Sequence, residues 1–312
     1  MMKLHENRRK FLKTAALAGA AASLPARLVP ASQKSLLVFT KSSGFEHQVV
    51  KRVDGKPSIL ENTVTDLSKK HGFQLECSKD GRIFDSADFH KFDGMLFFTT
   101  GDLTTEGTDK NPPMSAAAKK KFLDSIHDGK GFVGVHAASD TFHTEPDSME
   151  RGTRYVAYGE KSDPYLRMLG GEFIIHGDNP RLQTTGLIVN DMKFPGLEGV
   201  TSPIEMNEEW YSLKDFMPDL HVILTIDTSK LKNACYERRP YPGTWARMHG
   251  KGRVFYTAIG DRPENWQNPF FQNLLAGGIR WSLGDVRADI PANIKQVTPG
   301  YADIPPVKSA KS

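Results

Sequence analysis

The chain has 312 residues, 38% hydrophobic and 25% charged, which suits a globular protein with one large domain or two small ones. Its formal charge of +4 sits largely in the first 13 residues, where Lys3, Arg8, Arg9, Lys10 and Lys13 face only Glu6. The remainder is close to neutral, which argues against nucleic acid as a partner.

Residues 7–26, "NRRKFLKTAALAGAAASLPA", carry a paired arginine, an Ala/Leu run and small residues suited to a peptidase. They look like a twin-arginine export signal over residues 1–31, cleaved between about Ala26 and Ala31; the alternative is a basic amphipathic helix or an uncleaved anchor. The expected location is periplasmic or secreted. After the signal nothing approaches the roughly 18 apolar residues of a spanning helix. Export in the folded state makes a divalent metal a candidate cofactor. Cys77 and Cys235 lack any CxxC or metal spacing, and sequence alone leaves their pairing open.

"SLLVFT" (35–40) reads as a buried strand, "ILENTVTDLSKKHG" as a helix, and "FQLECS" and "FDGMLFF" as strands. "SAAAKKKFLDSIHDGKG" predicts a helix capped by Ser115, followed by the strand "GFVGV". Short apolar runs alternating with helices predict an α/β protein with a doubly wound, mainly parallel, flavodoxin-like sheet. From about 165, "FIIHG", "LQTTGLIVN", "IEMNEEWYSL" and "HVILTID" predict added β elements, and "TWARMHGKGRVFYTAIGD" a hairpin. "PFFQNLLAGGIRWSLG" has helical spacing and is expected to pack on the sheet. Residues 286–312, with scattered prolines, read as an extended C-terminal tail.

In such a sheet, functional groups collect beyond the carboxyl ends of the strands. The loops "KSSGFEH", "TTGDLTTEG" and "HAASDTFH" bring His47, Asp102, His136, Asp140 and His143 to that edge. His136 occupies the turn where a hydrolase would hold Ser or Cys; imidazole suits a general base or metal ligand better than an acyl nucleophile. His176 ends a strand-like run, and Glu208 and Glu209 precede Trp210 and Tyr211. Carboxylates beside aromatics suit a sugar, whose hydroxyls need acceptors and whose apolar face stacks; an edge strand with solvated carboxylates and core aromatics is the plain alternative. His47, His136 and His176 with a glutamate would also suit a metal, although no local metal motif is present. Trp245 and Arg247 alternate onto one face of the hairpin, Arg253 follows its turn, and Asp261 caps another apolar run.

In this order, "GFEH", "GFVGVHAASDT", "YLRMLGGEFIIH", "EEWY", "TWARMHGKGRVFYTAIGD" and "GIRWSLG" resemble the ThuA-like (trehalose utilisation) family over residues 35–285. The resemblance implies a class I glutamine amidotransferase-like fold without the cysteine nucleophile, His136 standing in its place, and a link to disaccharides that pass through 3-keto intermediates. His47, His136, His176, Glu209, Tyr211, Trp245 and Arg253 match the family pattern. Glu208 stands where aspartate is usual, and Asp261 where histidine is usual.

The reading that follows is an exported enzyme that hydrolyses or isomerises a disaccharide, glycoside or 3-keto derivative. Catalysis is expected from His136, His47, His176 and Glu209, with Trp245, Tyr211, Arg253, Asp140 and Asp261 binding a small carbohydrate. His136 would be the general base, or a metal ligand with His47 and His176. The competing reading, motivated by Asp261, is a sugar- or partner-binding protein that kept the pocket and lost the chemistry. An amidotransferase is disfavoured by the absent cysteine, and a homo-oligomer is left open.

Overall fold

A computed structural model describes residues 33–306; the expected export signal (1–31) and the last six residues of the expected tail lie outside them. The first half follows the predicted succession: β1 (Ser35–Phe39), α1 (Ile59–His71), β2 (Gln74–Ser78), β3 (Gly94–Phe97), α2 (Ala116–His127) and β4 (Gly131–Val135). α1 begins at a capping box in which Ser58 Oγ accepts from Glu61 N at 3.2 Å and the Glu61 carboxylate accepts from Ser58 N at 2.8 Å. Two amides left open by the first turn are thereby satisfied. Ser115 caps α2 in the expected way, accepting from Ala118 N.

The second half supplies α3 (Pro164–Leu169), β5 (Glu172–His176), β6 (Gln183–Val189), β7 (Ile204–Glu208), β8 (Tyr211–Lys214) and β9 (His221–Ile226). The hairpin β10 (Tyr241–His249) and β11 (Gly252–Thr257), then α4 (Pro269–Leu283) and the short α5 (Ile294–Val297), complete it. The run "IEMNEEWYSL" is not one strand. The chain leaves the main sheet at Glu209 and Trp210, and β8 pairs instead with β5 in a separate two-stranded ribbon.

The main sheet has the order β2-β1-β3-β4-β11-β10-β9-β6-β7. Its first five strands are parallel and follow the flavodoxin-like order 2-1-3-4-5, with β11 as the fifth. The remaining strands extend it through antiparallel pairings. Helices cover both faces. On β11, Phe255 lies under α4 against Gly278, while its neighbour Tyr256 points to the other face and stacks on Trp245 beneath α3. Strands buried on both faces must be apolar throughout, which is why β1, β3 and β4 read as unbroken apolar runs.

Residues 286–306 carry α5 and are held along the body. Ile294 is buried, Asn293 bonds the backbone of Leu220 and Val222, and Asp303 pairs with Arg239. Cys77 is partly buried and Cys235 buried, and no disulfide joins the two. Among the described residues, no helix is long and apolar enough to cross a membrane.

Candidate active site

β1, β3 and β4 end at one edge of the sheet, and the site is assembled there. β4 runs into a 3-10 turn, residues 136–140, whose first residue His136 has left-handed backbone (φ 44°). A non-glycine residue held there costs on the order of 1–2 kcal/mol, so the turn must be fixed by its surroundings. The His136 carbonyl accepts from Tyr256 Oη at 2.9 Å and Ser139 Oγ at 3.1 Å. Gly260 packs against it: a Cβ at Gly260 would lie 3.2 Å from that of His136 and 3.0 Å from Val135 Cγ1, at a φ of 148°. The imidazole is fully buried, its Nδ1 donating to the Ala258 carbonyl at 2.8 Å. That bond leaves Nε2 facing Glu209 Oε2 at 3.4 Å.

Glu209 lies where the chain passes from β7 to the ribbon, and the register of β5 on β8 places His176 opposite Tyr211 beside it. Glu209 Oε1 is 3.4 Å from His176 Nε2 and forms a close ion pair with Arg181. Arg181 also reaches Asp261 Oδ1 at 3.7 Å. His47, on the loop after β1, presents Nε2 to the Tyr211 hydroxyl at 3.3 Å and to Asp261 Oδ1 at 3.9 Å, and its ring meets that of His136 edge-on. The edge of the sheet and the ribbon thus converge on one cluster.

Burial, reinforced by the charge of His136, pushes His47 down to about 3, so it is neutral. Burial also opposes charge on His136, but the bond to Glu209 and the fields of Glu208, Glu209 and Asp261 outweigh it and raise the group to about 9. Glu209 falls to about 2 despite its burial, because His136, His176 and Arg181 surround it. Asp261 moves the other way: burial raises it, Glu209 adds to the rise, and His136 and Arg181 only partly offset it. The centre is therefore an imidazolium–carboxylate pair next to a carboxylate of increased basicity. His136 is thus held protonated at neutral pH by its carboxylate neighbours and does not stand ready as the expected base.

Access separates the roles. His47, His136 and Glu209 are closed to solvent, whereas the side chains of Asp261, His176 and Arg181 are 15%, 29% and 43% exposed. The last three form the mouth.

His47, His136, Glu209 and Asp261 each offer a ligand atom, all within 4.8 Å of one another. This His/carboxylate set fits a borderline divalent ion, and the Ala258 carbonyl, accepting from His136 Nδ1, is the usual kind of outer partner for a ligating histidine. A bound ion would supply Lewis acidity at the place where Arg181 now supplies positive charge. His176 is outside this group of four and contacts Glu209 instead, so the expected triad of histidines becomes two histidines and two carboxylates.

The sequence model of the trehalose utilisation family, ThuA, matches residues 35–282. The chain belongs to this family. Two solved ThuA-like proteins share the fold: one from Bacteroides uniformis (18% identity, TM-score 0.55, 83% of this chain and 95% of that one) and one from Parabacteroides merdae (17%, 0.54, 88% and 98%). No curated protein matches the chain. ThuA membership links the protein to sugar metabolism.

Within this ThuA fold, other expected residues fall elsewhere. Trp245 is fully buried, donating to the Leu169 carbonyl at 2.8 Å and stacked on Tyr256, so it offers no face to a sugar. Arg253 lies at the start of β11, the end of the strand away from the site, beside Gly284. Tyr211 is in the cluster but buried, its ring 4.0 Å from that of His136. Asp140 pairs with His143 at 2.6 Å in a separate ionic group that includes Glu172 and Arg154. Asp102 caps its own loop by accepting from Thr104. Arg181 escapes sequence reasoning because it sits in the polar loop "GDNPRLQ" with no strand tip to mark it. Its position five residues after the strand-ending His176 was the one signal available.

Proposed function

We propose that this ThuA protein is an exported enzyme that acts on the 3-keto derivative of a disaccharide or glycoside by proton abstraction next to its carbonyl. The observation that carries the reading is Asp261: a basicity-enhanced carboxylate at the mouth, beside a guanidinium and backed by a buried imidazolium–carboxylate pair. Abstraction of a proton adjacent to a keto group needs a base of raised pKa and a cation to hold the developing enolate oxygen. Asp261 is the base and Arg181 the cation. His176, also at the mouth, positions a sugar hydroxyl. His136 and His47 do not touch the sugar in this arrangement; His136 holds Glu209 ionised, and Glu209 in turn orients Arg181 and His176. Enolate formation is common to isomerisation and to loss of a leaving group β to the carbonyl, the two outcomes expected of a keto-glycoside. Export rests on the paired arginines of residues 8 and 9.

The test is turnover of 3-keto-trehalose by the wild-type protein and Asp261→Asn. The expected result is a loss of 10²- to 10⁴-fold in kcat, the range for removing a positioned acid–base group. Exchange of the sugar's α-proton with solvent deuterium should disappear with it. Unchanged exchange in the variant sinks the assignment.

A further inference from the structure

We infer that Phe45 is the platform on which the second ring of a disaccharide stacks, so that the site prefers two sugar units to one; this rests on the sugar-directed reading above. The aromatics expected to form a stacking wall, Tyr211 and Trp245, are buried at 2% and 0% exposure and present no face to a ligand. Phe45 is 59% exposed. It is two residues from His47, its ring edge-on to that imidazole with centroids 5.0 Å apart. The Arg181 guanidinium lies over the ring at 5.7 Å from its centroid, and this same guanidinium pairs with Glu209 and approaches Asp261. Arg181 therefore bridges from the reacting carboxylates to Phe45, and a ring bound at Asp261 has Phe45 as its aromatic neighbour on the rim.

The loop that carries Phe45 is pinned. Thr100 Oγ1 accepts from Gly44 N at 3.1 Å and donates to the Phe45 carbonyl at 2.9 Å, Ser43 N donates to the Thr100 carbonyl at 2.8 Å, and Thr108 Oγ1 donates to the Gly44 carbonyl at 2.6 Å. Single exposed apolar side chains are common on protein surfaces. A large one held out on a braced loop, beside a buried charged cluster, differs in that little backbone freedom remains to be lost when a ligand covers it. The C–H face of a pyranose is the complement of such a ring, and the adjacent guanidinium supplies donors for its hydroxyls. A monosaccharide that fills the mouth at Asp261, His176 and Arg181 leaves Phe45 uncovered.

Trehalose and glucose serve as probes, because neither carries the ring ketone the reaction needs and both bind unchanged. Calorimetry on the full-length protein should show trehalose binding more tightly than glucose. Phe45→Ala should weaken trehalose on the order of tenfold, leave glucose within twofold and leave the unfolding midpoint unmoved, and Phe45→Tyr should restore trehalose. Equal trehalose affinity in wild type and Phe45→Ala, or equal loss of both sugars, overturns the platform while leaving the sugar reading intact. A wild-type protein that binds neither sugar overturns the sugar reading and the platform with it.

Discussion

Glu208, fully buried one residue before Glu209 of the candidate site, accepts from Glu209 N at 2.8 Å, Gly260 N at 2.9 Å and Asn265 Nδ2 at 2.9 Å. It therefore ties the turn bearing Glu209 to the turn bearing Asp261. Burial raises its pKa, and the three donors and the charge of His136 hold it back. Glu208→Gln removes one of two acceptor oxygens and turns an amide donor toward N–H groups. A loss of about 2 kcal/mol in urea unfolding is expected, together with reduced keto-sugar turnover under the proposed function, because the turns bearing Glu209 and Asp261 lose their common anchor. Of the side chains proposed to function, His136 was legible because it directly follows the apolar strand β4, and Asp261 because it closes the apolar run that continues β11, four residues past the strand's end. Trp245 and Arg247 do share a face, as alternation requires. That face is covered by α3, since Arg247 donates to the Met168 carbonyl at 2.9 Å and Trp245 to that of Leu169. Alternation tells which residues lie together and is silent on what lies above them.

The β5–β8 ribbon has an ionic end and an end in the candidate site. At one, Glu172 faces Lys214 in register and accepts from His143 Nδ1 at 3.0 Å, Thr144 N at 3.1 Å and Thr144 Oγ1 at 2.9 Å; at the other, His176 faces Tyr211. The ionic end fastens the ribbon to the segment just after the His136 turn. Burial opposes the charge on His143, but Asp140 and Glu172 raise it to about 9, while Glu172 is lowered against its own burial by His143 and Lys214. The signs give the window. A histidine raised above its ordinary value of 6.5 contributes fully below that value and loses its contribution as pH rises through 9. The lowered Glu172 contributes above its ordinary 4.5 and loses its share as pH falls further. The His143 clamp should therefore lose on the order of 2 kcal/mol between pH 6.5 and 9, and His136, raised to about the same value, adds a loss of the same sign to the wild-type protein. Glu172→Gln should be less stable at pH 6.5 and flatter across this range in chemical denaturation. A slope identical to that of wild type would remove the His143 clamp from the account. The ribbon itself was hidden in the sequence because "IEMNEEWYSL" has strand-like composition throughout, and its break depends on pairing with a strand 35 to 42 residues earlier. Trp210 Nε1 bonding the Gln183 carbonyl and Tyr241 Oη bonding that of Tyr211 are the long-range contacts that hold the break.

At the scale of the whole molecule, the parallel half of the sheet was readable because helices on both faces force unbroken apolar strands, and α4 closes against them through glycine. A Cβ on Gly277 would lie 1.8 Å from the Pro195 carbonyl oxygen, so only glycine lets that loop and the helix meet. The packing of the C-terminal segment was not readable, because its prolines suggested only an extended tail while its place in the fold depends on where β6 stops. β6 pairs with β9 only at Leu224 to Ile226, and Asn190 N reaches the Ile223 carbonyl at 2.9 Å, leaving the start of β9 without a neighbour on that side. Asn293 fills the place: its N–H donates to the Leu220 carbonyl at 3.1 Å, its Oδ1 accepts from Val222 N at 2.6 Å, and its Nδ2 donates to the Val222 carbonyl at 3.2 Å. Ile294 is buried beside it, and the Pro291 carbonyl accepts from His221 Nδ1 at 2.8 Å. One asparagine thus continues the ladder that β6 abandons, and an isoleucine seals it. Removing residues 286–312 exposes that side chain and strips the edge of β9. About 3–5 kcal/mol of stability should be lost, combining burial of one large aliphatic residue with several hydrogen bonds. Asn293→Ala alone should cost about 1–2 kcal/mol. A deletion at 286 as stable as the full chain would return the segment to the role of a passive tether.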